Sequence, residues 1–145
     1  MNDFGAVAAG LDLDTSAPLP INVSLNGTQL LTDGATLPIP LSHSVVLALE
    51  QDTSTPALYY QFSVTELDLN AGATAYVSHI RYVALATDKT VTLPNDVFQD
   101  GKTYVIRVVA IVGGFPSFAE GDLTNRQLPL SQGYLDAGIF TVMGQ

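Results

Sequence analysis

The sequence predicts an all-β fold: a two-sheet antiparallel β-sandwich of about seven strands, with an added N-terminal hairpin and a long last loop. Three observations predict it. Short runs alternate apolar and polar residues, and no long stretch keeps a helical period. Val, Ile, Thr and Tyr dominate those runs, and β-branched side chains lose rotamer freedom in helices. Turn residues separate the runs at the spacing of a sandwich. A chain of 145 residues has room for one domain with a sizeable core.

Residues 1–16 are small and acidic and end in LDLDTS; they read as a linker or tail before a domain spanning 17–145. Pro18 and Pro20 mark the entry, since Pro suits strand starts and edges. Ile21, Val23 and Leu25 alternate with Asn22 and Ser24. Asn26-Gly27 is a two-residue hairpin signal, because both positions need positive φ. Residues 28–31 return, and Asp33-Gly34 turns again. Pro38 and Pro40 keep 36–42 extended but bar a central strand there. Val45, Leu47 and Leu49 share one face of the next strand, and QDTSTP (51–56) is a polar loop. Tyr60, Phe62 and Val64 share a face of the strand that follows. Residues 75–86 form a long strand whose inward face is ambiguous: Tyr76, Ile80 and Tyr82 compete with Val77 and Val83. Val91 and Leu93 point inward from a short strand ended by Pro94. Gly101 makes a corner, and Tyr104, Ile106, Val108 and Ala110 line one face beyond it. Residues 113–136 are a long connection, and 138–143 close the fold as a strand.

Composition excludes several function classes. Five Lys+Arg against 14 Asp+Glu give a net charge of −9. Such a chain repels phosphate backbones, so nucleic acid is not an expected partner. No window approaches the roughly 18 unbroken apolar residues of a membrane helix, so membrane insertion is not expected. The chain has no Cys, which removes thiolate nucleophiles and Cys-ligated zinc. The first ten residues carry no Lys or Arg before their weakly apolar run. A secretory signal is therefore not read there, and any signal is expected upstream.

Residues 98–110, FQDGKTYVIRVVA, resemble the corner and penultimate strand of fibronectin type III domains. That family places a large apolar residue, a Gly, and a Tyr that opens an alternating strand ending in Ala; here these are Phe98, Gly101, Tyr104 and Ala110. The resemblance implies that Tyr104 is a corner tyrosine, with its ring packed inward and its hydroxyl bonded to upstream backbone. Residues 90–98, TVTLPNDVF, are similar to the preceding strand and its exit. ALYYQFSVTEL (57–67) looks like the third strand and SVVLALE (44–50) like the second, with Leu49 where the family usually has a buried Trp. The resemblance runs over 41–145. The chain departs from the pattern in having no Trp and in placing Asp100 where a Pro usually precedes the corner Gly. YLDAGIFTV also looks like the closing strand of fibronectin-type modules in large exported bacterial proteins. The function implied is a non-catalytic structural or interaction module of a secreted or cell-surface protein. It would act as a spacer or bind neighbouring domains or another protein. The alternative is a carbohydrate-binding module stacking sugars on Tyr59, Tyr76 or Tyr82.

Individual residues give little chemistry. His43 and His79 lie far from any G-x-S-x-G nucleophile motif. Glu50, Glu66 and Glu120 lie in separate segments, so no paired carboxylates are read. No catalytic residue, metal or cofactor is expected. Asp12 with Asp14, and Asn95, Asp96 and Asp100 at the corner, invite a calcium reading, but no closed calcium-loop motif is present. These residue types also build ordinary turns. Asn22-Val-Ser24 and Asn26-Gly-Thr28 fit the glycosylation acceptor, although Asn26 already has a turn role. In the long connection, Phe115, Phe118 and Tyr134, with Arg126 as polar anchor, are candidate binding residues. Val105, Val109 and Ile111 are expected on the outer face of their strand, making that face unusually apolar.

Overall fold

A computed structural model of the chain describes residues 17–30, 33–53, 57–69, 72, 74–113 and 130–145. The strands are β1 (Pro20–Leu25), β2 (Thr28–Gln29), β3 (Ala35–Ile39), β4 (Val45–Gln51), β5 (Tyr59–Leu69), β6 (Tyr76–Ala86), β7 (Thr90–Leu93), β8 (Thr103–Gly113), β9 (Leu130–Asp136) and β10 (Phe140–Gly144). They build two packed sheets. The four-stranded sheet is ordered β2-β1-β4-β7, and the six-stranded sheet β3-β10-β8-β5-β6, with β9 also paired to β8. Because β5 occupies one edge of β8, β9 and β10 share its other edge in succession.

Alternation in the sequence becomes the core. Val45, Leu47, Leu49 and Leu93 from one sheet meet Tyr60, Phe62, Val64, Tyr104, Ile106, Val108 and Phe140 from the other, all buried. Burying each such side chain contributes about 1.5–3 kcal/mol. The first hairpin turns at Asn26 (φ 47°) and Gly27 (φ 83°). The Asn26 side chain also accepts the Val46 N–H at 2.9 Å, so it ties the turn to β4. Pro38 lies on β3, an edge strand running parallel to β10.

Three expectations need correction. First, Ile21 does not share the inward face of Val23 and Leu25. A register shift between Pro20 and Asn22 leaves Ile21 turned outward, 49% exposed, while Asn22, paired with exposed Glu50, is covered to 6% exposure. The Asn22 amide donates to Glu50 Oε2 at 3.2 Å. That burial also makes Asn22 a poor acceptor for a glycan. Second, residues 130–136 of the expected long connection are strand β9. Their pairing runs from Arg107–Asp136 to Gly113–Leu130, so the connection between β8 and β9 shrinks to 114–129. Third, the ambiguous strand β6 is two half-strands of opposite phase. Val64 pairs with Tyr82 but Thr65 with Ile80, leaving Arg81 as the extra residue of a bulge. Tyr82 therefore packs against the core while Ile80 faces out, 72% exposed.

Candidate functional site

The outer face of the six-stranded sheet carries the candidate site, and strand register lays it out in rows. Leu85, Gln61, Val109 and Tyr134 lie side by side across β6, β5, β8 and β9. Val83, Ser63, Arg107 and Asp136 form the next row, and Ile80, Thr65 and Val105 the third. Neighbours at these spacings touch. Ser63, Arg107, Asp136, Ile80 and Val83 line a shallow open depression of about 740 Å³.

Arg107 and Asp136 pair directly across β8 and β9. Arg107 Nε donates to Oδ1 at 2.6 Å and Nη2 to Oδ2 at 2.7 Å, a two-point fork that fixes both groups. The hydrogen bonds from Arg107 hold the Asp136 carboxyl below its ordinary range, with burial opposing. The guanidinium also lies 5.6 Å from the centre of the Tyr134 ring, so the ring is braced from beneath while 63% exposed. The face thus offers aliphatic side chains and one exposed aromatic ring around a charge pair that is already neutralised. Chemically that suits contact by shape and apolar burial rather than capture of a lone ion.

The corner lies at the opposite end of β8. Gly101 has φ 72°, a conformation that favours Gly. Tyr104 is fully buried and its hydroxyl accepts the Gln99 N–H at 2.8 Å. Its ring meets Phe98 edge-on at 5.1 Å and Phe140 at 6.1 Å. Burial pushes the Tyr104 hydroxyl pKa up. Asp100 accepts the Gly144 N–H at 2.8 Å, and the Asp96 carbonyl accepts from Arg81 at 3.5 Å. Next to the corner, Glu66 is buried and meets Lys102 at 3.2 Å and Arg81 at 3.6 Å. Lys102 also bonds Asp68 at 2.8 Å, which lowers the Asp68 pKa. Sequence spacing hid this cluster, because its members come from β5, β6 and the corner. Among the described residues, no group of three His, Asp or Glu is arranged to hold a metal ion.

Of the candidate binding residues, Tyr134 stands on β9, not in a loop. Phe115, Phe118 and Arg126 lie outside the described residues, as do Asp12, Asp14 and Glu120. His43 is exposed beside Ser42, and His79 is exposed on β6. Of the candidate sugar-stacking residues, Tyr59 is buried and Tyr82 half-buried, whereas Tyr76 is 59% exposed. Val105 and Val109 face out, half-buried. Ile111 shares their facing by register yet is 4% exposed and lies outside the central core cluster.

No family model matches the chain. No curated protein matches it either. A solved structure described as "Myokine structure" is similar over 85% of this chain and 99% of its own, at 14% identity and a TM-score of 0.40.

Proposed function

We propose that this domain is a non-catalytic, fibronectin type III-like module of a secreted or cell-surface protein, binding another protein through the outer face of its six-stranded sheet. The observation that carries the reading is the set of rows around Arg107 and Asp136. Exposed Ile80, Val83, Leu85 and Tyr134 flank an ion pair that needs no further partner. Exposed apolar side chains concentrated on one face mark contact sites. Two features support the fibronectin-like part. The strand order sets β1-β4-β7 against β6-β5-β8 and the β9/β10 pair, and Tyr104 bonds upstream backbone at the corner. A spacer role needs only the fold and leaves the exposed rows without a use.

Carbohydrate binding is the second reading, favoured by the exposed rings of Tyr76 and Tyr134 and opposed by the burial of Tyr59. One comparison separates them. Wild type and a Tyr134→Ala/Arg107→Ala double variant are screened on arrays of extracellular proteins and of glycans. The proposal expects a protein ligand that the double variant loses while keeping its fold. Glycan binding alone supports the second reading. Protein binding undiminished in the folded double variant overturns the use of this face.

A further inference from the structure

We propose that the depression on the outer face takes a basic protein segment: aliphatic side chains lie on Ile80, Val83 and Val105, and a Lys or Arg reaches Asp33. The choice of partner rests on reading that face as a protein contact. The sides of the depression differ in character. Ile80 and Val83 on β6 form one flank, 72% and 50% exposed. Ser63, Thr65 and Val105 lie along the floor. Asp33, Asp136 and the crossing from β9 to β10 form the far flank.

The fold holds Asp33 there by two bonds. β10 pairs with β8 so that Phe140 lies opposite Tyr104, which carries Ile139 toward Val105. Gly34, at φ 82°, donates its N–H to the Ile139 carbonyl at 2.7 Å, and Asp33 Oδ1 accepts the Ile139 N–H at 2.8 Å. Asp33 is exposed, and among the described residues its Oδ2 has no partner. Asp136, by contrast, has both oxygens bonded to Arg107. The depression therefore carries one unpaired charge, and it is negative.

Charge then chooses the occupant. An acidic segment meets Asp33 with no free cation to answer it, because the Arg107 fork is taken up. A neutral segment strips water from the carboxylate and offers it no partner. A Lys or Arg keeps it paired, and a pairing at the rim stays hydrated enough to set selectivity and speed of encounter more than raw affinity. The field of the whole chain acts in the same sense: a net charge of −9 draws a basic partner and repels an acidic one. At the other end of the face, the exposed ring of Tyr134 is a second place that favours a cation. Strand spacing sets the reach. Neighbouring strands stand about 5 Å apart, so the path from Ile80 across β5 and β8 to the Asp33 flank is about 15 Å. An extended segment of about five residues crosses it, with alternate side chains turned down onto the face.

The test selects short linear peptides from a randomised phage-displayed library on the immobilised full chain, then measures their affinities by fluorescence anisotropy. The selected peptides are expected to combine aliphatic residues with Lys or Arg and to bind more weakly as salt rises. Asp33→Asn removes the charge but keeps an oxygen to accept the Ile139 N–H, so its melting curve is expected to match wild type. It is expected to weaken these peptides about threefold to fivefold. Asp88→Asn changes the net charge equally at an exposed carboxylate outside the depression, and is expected to leave the affinities unchanged. Equal weakening by both variants, or none by Asp33→Asn, overturns the proposal. So does a selection that yields neutral or acidic peptides, or no peptide. Ile80→Ser/Val83→Ser, two changes at exposed positions, separates this outcome from failure of the face itself. Neutral peptides that the serine variant loses end the basic partner and leave the face as a contact. Peptides of any charge that it binds as well as wild type does remove the face as well.

Discussion

Replacing Tyr104 by Phe removes one oxygen and leaves the ring in place. That oxygen accepts the Gln99 N–H at 2.8 Å. The ring contacts, edge-on to Phe98 at 5.1 Å and tilted on Phe140 at 6.1 Å, are available to Phe as well. The loss is therefore the hydrogen bond. A neutral bond contributes about 1 kcal/mol, and an orphaned buried donor costs about 1–3 kcal/mol. Gln99 is itself exposed, so water reaches the freed N–H and keeps the cost near the lower end. We expect about 1–1.5 kcal/mol, which lowers Tm by about 3–6 °C in a chain of this size. Thermal and urea unfolding followed by circular dichroism measure it. Tyr134→Phe is the control: its ring is 63% exposed and the change is expected to stay within about 0.5 kcal/mol. Tyr60→Phe is expected to rank highest, at about 2 kcal/mol. Its hydroxyl both accepts the Ala57 N–H at 3.1 Å and donates to Gln51 at 2.7 Å. Equal melting of Tyr104→Phe and Tyr134→Phe would refute the reasoning, because ring packing alone would then hold the corner.

Gly133→Ala is expected to cost about 2 kcal/mol, since its Cβ would meet the Pro18 carbonyl oxygen at 2.5 Å and only backbone can yield. A neutral effect on Cm in urea would mean that 17–19 are not held against β9. Asp136 has a folded pKa below its unfolded value. The stability it contributes is full above about pH 4 and is lost as pH falls through the depressed folded value. With both partners about half exposed, the effect stays within about 1 kcal/mol. Asp136→Asn should flatten that part of a Tm-against-pH curve and leave the curve above pH 5 parallel to wild type. A Gly101→Ala variant at φ 72° is expected to lose about 1 kcal/mol, read from its melting curve.

Most of the fold is legible where one residue step means one change of face. Val45, Leu47 and Leu49, or Tyr104, Ile106, Val108 and Ala110, announce their strands because alternation continues unbroken through them. Reading fails where that rule breaks. At Ile21 and at Arg81 an inserted residue reverses the phase, and a period-two reading carries the wrong set inward. β9 was hidden for another reason. LSQGYLD holds few apolar residues because this half of the last strand packs mainly through β8, and its Gly133 serves the close approach of Pro18. The candidate site was legible only in Val105, Val109 and Tyr134. Arg107 shares that face by alternation with Val105 and Val109, but its partner Asp136 stands in what reads as a loop, so the fork between them follows only from register.

Charge explains why that register matters. Four of the five cations lie among the described residues, and three of them, Arg81, Lys102 and Arg107, are held in ion pairs. The remaining carboxylates leave the surface negative, which keeps copies and other acidic proteins apart at long range. At salt concentrations where the screening length is about 8–10 Å, such repulsion acts only between nearby surfaces. Contact is then decided by which patches are free of unpaired acid. The outer rows have their one described acid, Asp136, already bound to Arg107, and β6 has none from end to end. The bulge joins the two. By turning Arg81 toward Glu66 it frees Ile80 to face out beside Thr65 and Val105, so the inserted residue extends the apolar face while its own charge stays paired.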